Sequence, residues 1–308
     1  MPIHRNILHN GVIRDASEPA LTAGQLGLLA GWGVFSTLRV VDGALFAWER
    51  HWARMTRDAK LLNVAMPPDP DALESDLRRL VEANGHPDCT LRVVVVRNTG
   101  GIWQGPTASG AASDVIALTT GTKAWGTSVH LGIQPNARYA AGEFSRAKIL
   151  SWAQNLRWAE RAQEQGWDEV ILLNERGWVA ECTSANIFAV FGDRVYTPPL
   201  SDGCLPGVTR EILLTEIEVP GITVAERGLT VESLFQADQV FITSTTRDLL
   251  AVREITPVPG AGDDSETRAL QRRGDVPDRL ATAFRAFIAG DIARRVESMQ
   301  RQPETVRT

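Results

Sequence analysis

Apolar and polar positions along the chain change period several times, and the changes mark its elements. Val12-Ile13 and Thr37–Val41 carry the apolar runs of strands, and Asp42-Gly43 is a hairpin turn leading into Leu45-Phe46. Over 49–64 the period becomes helical. Trp52, Met55, Ala59 and Leu62 form a stripe, with Arg54, Arg57 and Lys60 off it, and Pro67-Pro68 ends the segment. Leu73, Leu77, Leu80 and Val81 predict a second amphipathic helix over 71–83, capped by Asp69 or Asp71. Leu91–Val96 and Val115–Leu118 read as buried strands around a Gly-rich loop at 99–106.

Residues 119–128, rich in Thr, Gly and Ser, read as an interdomain connection, and Val129–Gln134 opens the second half as a strand. A helix is predicted over 148–165, with Ile149, Trp152, Ala153, Leu156 and Ala159 on one face. Val170–Leu173 and Ile187–Val190 are strands, and Asn174-Glu175-Arg176-Gly177 is a turn between them. Thr209–Glu216 is a helix, and Val240–Thr243 is a late strand ending in the polar turn Ser244–Arg247. Residues 259–275, rich in Gly, Asp and Arg, read as flexible, and a terminal helix covers 277–298.

Length and composition bound the rest. A chain of 308 residues with 44% hydrophobic content can fill two domains. A net charge of -5 argues against nucleic acid and against an anionic membrane surface as partners. Cys89, Cys182 and Cys204 have no CxxC spacing, so neither a metal site nor a disulfide framework is expected. Free thiols suit a reducing compartment. The N-terminus carries no apolar targeting core and no run is long enough to span a bilayer, so the expected location is cytoplasmic.

Candidate chemistry gathers at a few positions. Lysine occurs only at 60, 123 and 148 among 32 basic residues. Lys148, before the apolar Ile149-Leu150, reads either as a snorkelling lysine at a helix start or as an amine able to form a Schiff base. Glu181, near the start of a strand, reads either as surface decoration or as a carboxylate held against a cofactor's ring nitrogen. Gly207-Val208-Thr209 opens a helix and offers amides and a hydroxyl to an anion, though threonine is common at helix starts. Ser244-Thr245-Thr246 is a second cluster of hydroxyls and amides, and Arg54 could supply a fixed positive charge.

In sequence order, these residues resemble the fold-type IV pyridoxal-phosphate enzymes, the class IV aminotransferases, over roughly residues 5–258. Gly33-Val34-Phe35 with Thr37-Leu38-Arg39, His51-x-x-Arg54, Glu181–Phe188 and Thr197–Arg210 carry the resemblance. It implies an α/β (α+β) fold of two domains. These are an N-terminal α/β domain at 1–118 and a C-terminal pseudo-barrel domain at 129–308 that carries the cofactor lysine. It implies pyridoxal 5'-phosphate in the cleft, held by Lys148 as an internal aldimine. Glu181 would pair with the pyridine nitrogen. Arg54, Val208, Thr209 and Thr245 would hold the phosphate, with Ser244 beside them. Phe35, Thr37, Arg92 and Thr246 would face the substrate.

The implied reaction is ping-pong transfer of an amino group between an amino acid and a 2-oxo acid, in a homodimer. Two departures bear on it. Trp152 and Ala153 stand where many members have a tyrosine, so the Trp152 indole would serve the cofactor's phenolic oxygen, or water would. Ser36 stands where the family usually has glutamate. Thr37 and the run Arg92–Gly101 also fit the family's lyases, which release pyruvate from aminodeoxychorismate, and a catalytically silent homologue is the third reading. Trp103, on the Gly-rich loop, would reach a pocket or pack within its own domain. The substrate side chain and its handedness are not set by any of these motifs.

Overall fold

The computed structural model describes residues 2–100, 110–257, 267–270 and 273–301. Trp103 and most of the Gly-rich loop lie outside them, as does most of 259–275. The chain forms two compact units, one of Met1–Lys123, Lys148–Ser151 and Ala286–Thr308, the other of Ala124–Ala147 and Trp152–Arg285.

In chain order the first unit contains β1 (Ile3–His9), β2 (Val12–Asp15), α1 (Leu26–Ala30), β3 (Gly33–Val41), β4 (Ala44–Leu45), α2 (Trp48–Leu61), α3 (Pro70–Asn84), β5 (Cys89–Arg97) and β6 (Ser113–Thr120). The strands form an antiparallel sheet in the order β2-β1-β6-β5-β3-β4. Asp42 and Gly43, with φ of 50° and 74°, make the two-residue turn that pairs Val40 with Leu45. Asp69 caps α3, its carboxylate accepting from the amides of Asp71 and Ala72, and Pro70 follows at the first helical position. The predicted apolar stripe of α3 is buried at Leu73, Leu77, Leu80 and Val81.

The stripe of α2 is wider than its apolar residues indicate. His51, Arg54 and Asp58 are buried alongside Met55 and Ala59. Arg54, predicted off the stripe, is therefore inside, because its partners are polar groups rather than hydrocarbon.

The second unit contains β7 (Ser128–Arg138), α4 (Ala153–Glu164), β8 (Glu169–Asn174), β9 (Val179–Cys182), β10 (Asn186–Phe191), β11 (Arg194–Thr197), α5 (Val208–Thr215), β12 (Thr223–Glu226), α6 (Val231–Gln236), β13 (Gln239–Ser244), β14 (Asp248–Thr256) and β15 (Arg268–Ala269). Nine strands form a mixed sheet, β12-β11-β10-β13-β14-β7-β8-β9, with β15 on β14. Parallel ladders at β7–β8, β7–β14 and β11–β12 give it α/β character, and antiparallel ladders elsewhere the α+β character. Strands β8 and β10 are buried along almost their whole length, and Phe188 stacks on Phe241 at 5.0 Å between ring centroids.

Helix α7 (Val276–Arg301) closes the chain. Its part from residue 286 onward belongs to the first unit. There Asp291 Oδ2 accepts the Ala47 amide at 3.0 Å, Arg295 pairs with Glu49 and Asp291, and Phe287 meets Phe46 edge-on. No helix among the described residues is long and apolar enough to cross a membrane.

Two expectations for the middle of the chain, the start of a helix and its buried face, need correction. The helix predicted over 148–165 begins only at Ala153. Lys148–Ser151 is extended instead. The Phe35 amide donates to Lys148 O at 3.1 Å, the Leu150 amide to Gly33 O at 2.9 Å, and Val34 bridges Ile149. Pairing with β3 therefore draws Lys148 into the first unit rather than the one beginning at 129. The predicted face of α4 also differs. Leu156 is 53% exposed, and the helix buries Asn155 and Ala162.

Candidate functional site

In the first unit the lysine backbone is fixed on two sides. Strand β3 holds its carbonyl, and the buried Asp58 carboxylate accepts its amide at 2.9 Å through Oδ2. Its Nζ lies 4.6 Å from the centroid of the buried Phe35 ring. The Arg92 guanidinium sits 4.0 Å from the same ring, and burial lowers its pKa. Thr37 is half-buried and faces Arg92 across the β3–β5 ladder. The structure thus brings Lys148, Phe35 and Arg92 together, with Thr37 opposite Arg92.

Gly33 explains part of this closeness. A Cβ there would stand 2.4 Å from Val95 O and 2.6 Å from Leu150 Cδ1. Only glycine lets the lysine segment lie against β3.

Arg54 Nη2 donates to Ser36 Oγ at 2.8 Å, and Ser36 Oγ lies 2.7 Å from His51 Nδ1. Burial holds the His51 pKa well below the usual histidine value, and the positive charges of Arg54 and Lys148 add to it. A neutral His51 therefore places no second positive charge beside Arg54.

In the second unit, Glu181 occupies the third position of β9 and is buried. Its Oε1 takes Arg138 Nη2 at 2.5 Å and its Oε2 takes the Leu205 amide at 3.1 Å. Asn186 braces the same loop, donating to Leu205 O at 2.9 Å. That loop leads through Gly207 into α5, whose N-terminus has no side-chain cap. Helix starts leave backbone amides unpaired and favour negative charge. Val208 is buried, and the Thr209 hydroxyl is buried without a hydrogen-bond partner among the described residues. Thr243 Oγ1, at the end of β13, is in the same condition. Thr245 and Thr246 follow in the turn, half-buried, with Ser244 Oγ 3.5 Å from Thr246 Oγ1. Trp152 is half-buried at the cap position of α4.

A Cβ on Gly207 would fall 2.1 Å from Asn186 Oδ1. Gly207→Ala must therefore displace either the Asn186 side-chain amide or the start of α5. Overpacking of this kind costs about 1–3 kcal/mol, and phosphate affinity is expected to fall about tenfold, measured as the dissociation constant of inorganic phosphate or of a phosphorylated pyridoxal.

Sequence reasoning misses a buried ion pair that ties these pieces together. Arg247 Nη2 meets Glu169 Oε1 at 2.6 Å, with both side chains nearly inaccessible. Glu169 also accepts from the hydroxyls of Thr183 and Ser184, and Arg247 lies 3.8 Å over the Trp125 ring. The pair joins the turn after β13 to the segment after Glu181. Breaking it by Glu169→Ala strands the arginine charge and is expected to cost about 3–5 kcal/mol, read by denaturant unfolding.

Arg138, Asp58, Ser36 and Asn186 were not singled out either. Asn186 lies in a motif, Ser36 stands out only as a departure from the family pattern, and the others carry no local signal. The three cysteines are free and buried, and burial pushes the Cys204 thiol up to about 12, so it stays protonated. Among the described residues no cluster of His, Cys, Asp and Glu could hold a metal ion.

The residues of each unit suit pyridoxal 5'-phosphate. In the second unit two buried hydroxyls lack partners among the described residues, one of them at an uncapped helix start, and a buried carboxylate is held rigid; in the first a lysine stands beside an aromatic ring. Residues 33–255 match the amino-transferase class IV family. A curated branched-chain-amino-acid aminotransferase, described as putative, from Methanocaldococcus jannaschii is 29% identical over 80% of this chain and 86% of its own. The D-alanine aminotransferase of Bacillus licheniformis is 28% identical over 94% and 99%. The crystal structure of a branched-chain aminotransferase from Thermoproteus uzoniensis with norvaline superposes with a TM-score of 0.81, at 26% identity, over 96% of this chain and 98% of the other. With a family match across nearly three quarters of its length and a fold shared almost end to end, this chain belongs to the class IV aminotransferases.

Proposed function

We propose that this enzyme binds pyridoxal 5'-phosphate through Lys148 and moves an amino group between an amino acid and a 2-oxo acid in a ping-pong cycle. The observation that carries the cofactor assignment is the buried, unpartnered Thr209 hydroxyl at the uncapped start of α5. Such a group is costly unless a ligand completes it. When bound, the cofactor supplies an electron sink for the substrate's α-carbon.

The chain's own residues do the remaining work. Lys148 Nζ takes the proton from the α-carbon and returns it, from a main chain fixed on two sides. Glu181 holds the proton on the pyridine nitrogen, and Arg138 orients its carboxylate. The amides of Val208 and Thr209, the hydroxyls of Thr209 and Thr245 and the Arg54 guanidinium bind the phosphate, with Ser244 beside them. Trp152 serves the phenolic side of the ring. Phe35, Thr37, Arg92 and the Thr246 amide line the substrate position. The relatives named above act on branched-chain amino acids and on D-alanine, which brackets the substrate as a small or aliphatic amino acid and leaves its hand to experiment.

Three buried free thiols suit a cytoplasmic enzyme. Exposed Leu28 and Leu29 support a homodimer, measurable by sedimentation.

The test is the visible spectrum of the purified enzyme as single D- or L-amino acids are added without an oxo acid. Bleaching of the yellow band by one class supports the reading and names the donor. A band that no amino acid bleaches, with pyruvate released from aminodeoxychorismate, would replace it by the lyase reading, with Thr37 assisting protonation.

A further inference from the structure

The Lys148 main chain is held by a group that the reaction itself does not call for. Asp58 is 1% exposed, and its Oδ2 accepts the Lys148 amide at 2.9 Å. Its other oxygen, Oδ1, takes Arg57 Nε at 2.9 Å and Nη2 at 2.5 Å. Asp58 stands one turn beyond Arg54 on α2, and Arg54 in turn reaches Ser36 on β3. Strand β3 also holds the Lys148 carbonyl through the Phe35 amide.

We infer that Asp58 is the positioning residue for Lys148. It sets the lysine backbone, through the half-buried amide, from the same helix face that carries Arg54. The inference rests on the cofactor reading above. The amide meets the buried Asp58 carboxylate, and a donor withdrawn from water needs an acceptor. Lys148 is not in a helix and has no intrahelical carbonyl for its amide, so the acceptor comes from a side chain. A carboxylate is a strong choice, since ionised acceptors make shorter and stronger bonds than neutral ones. Fixing both main-chain groups of Lys148 restricts where Nζ can go, and an error of about 1 Å at a reacting atom costs on the order of 100-fold in rate. Arg57 meets the carboxylate's other oxygen from the solvent side, where its own side chain is 49% exposed, and takes no part in the bond to the Lys148 amide.

The consequence lies in attachment rather than in binding alone. Pyridoxal 5'-phosphate must meet Nζ, which condenses with its aldehyde as water leaves. Pyridoxamine 5'-phosphate binds the same phosphate and ring contacts but forms no bond to lysine. A residue that only supports the fold would weaken both ligands together, whereas a positioning residue for Lys148 affects the first alone.

The experiment adds each ligand to cofactor-free enzyme and follows two readouts, growth of the visible band for pyridoxal 5'-phosphate and the dissociation constant of pyridoxamine 5'-phosphate by tryptophan quenching. In Asp58→Ala the band is expected to grow about tenfold or more slowly, with pyridoxamine phosphate affinity within about twofold of wild type. Asp58→Asn keeps an acceptor oxygen and is expected to recover most of the rate. Arg57→Gln leaves the amide acceptor in place and is expected to match wild type in both readouts.

Should Asp58→Ala not fold, Asp58→Glu is read in its place. It keeps the charge but moves the carboxylate off the amide by one methylene, and slow attachment is again expected. Wild-type attachment in Asp58→Ala or Asp58→Glu, or equal loss of both ligands, overturns the inference. So does an equal slowing in Arg57→Gln. A wild-type enzyme that forms no visible band overturns the cofactor reading, and the role of Asp58 with it. A band that forms and is indifferent to Asp58 leaves the cofactor reading standing and removes only the positioning role.

Discussion

Lys148→Ala is expected to lower kcat/KM for transamination by on the order of 10³-fold or more, since it removes both the covalent anchor and the base that moves the α-proton. General acid–base catalysis alone contributes about 10²–10⁴-fold. The loss should fall on kcat, because the phosphate and ring contacts do not depend on Nζ. Stability should change little, since the fold keeps the lysine's main-chain bonds. Nζ lies 4.6 Å from the Phe35 ring centroid, a contact of about 0.5–1 kcal/mol. The main-chain bonds to Asp58, Phe35 and Gly33 survive truncation of the side chain. Single-turnover kinetics beside a melting curve checks both halves. A variant that melts like wild type and still transaminates within tenfold would remove Lys148 from the mechanism.

Glu181→Gln is expected to reduce activity by about 100-fold, the usual cost of removing one preorganised electrostatic group, and to destabilise the fold as well. The neutral amide cannot hold a proton on a pyridine nitrogen. It also leaves the Arg138 guanidinium, whose side chain is 19% exposed, without its counter-ion. Breaking one side of such a pair costs about 3 kcal/mol. The two effects separate in a double variant. Adding Arg138→Leu to Glu181→Gln removes the stranded charge, so stability should return while activity stays low. If activity returned with stability, Glu181 would be a structural anchor for the Leu205 loop and nothing more.

What was legible in the sequence was local. The Asp42-Gly43 hairpin, the Asp69 cap with its apolar stripe on α3, and the apolar runs of β5, β8, β10 and β13 all follow from chemistry within a few residues. The order of motifs was legible too, and with it the family. What stayed hidden depends on partners distant along the chain. Asp58 lies 90 residues from Lys148, and Arg138 lies 43 from Glu181. Neither distance leaves a periodic trace.

The stretch at 148–151 misleads for the same reason. Lys-Ile-Leu-Ser before an amphipathic helix looks like its first turn. The pairing that keeps it extended is with β3, more than a hundred residues earlier. Hydrophobic periodicity also hides polar burial, so a helix face carrying His51, Arg54 and Asp58 reads as solvated until the groups they bond to are seen. On α4 the apolar Leu156 reads as core for the complementary reason and is exposed.

The first unit is assembled from three separated pieces of chain, the last of them the end of α7. Synthesis proceeds from the N-terminus at about 5–20 residues per second. The six strands of the first sheet therefore leave the ribosome long before the segment that pairs Asp291 with Ala47 and Arg295 with Glu49. The lysine segment, which β3 must receive, also comes after the whole sheet has been made. For most of translation the nascent sheet must wait with its lysine slot and its helix-docking face open. A ribosome stalled before residue 286 would hold a second unit whose own residues are all present and a first unit still lacking its closing piece.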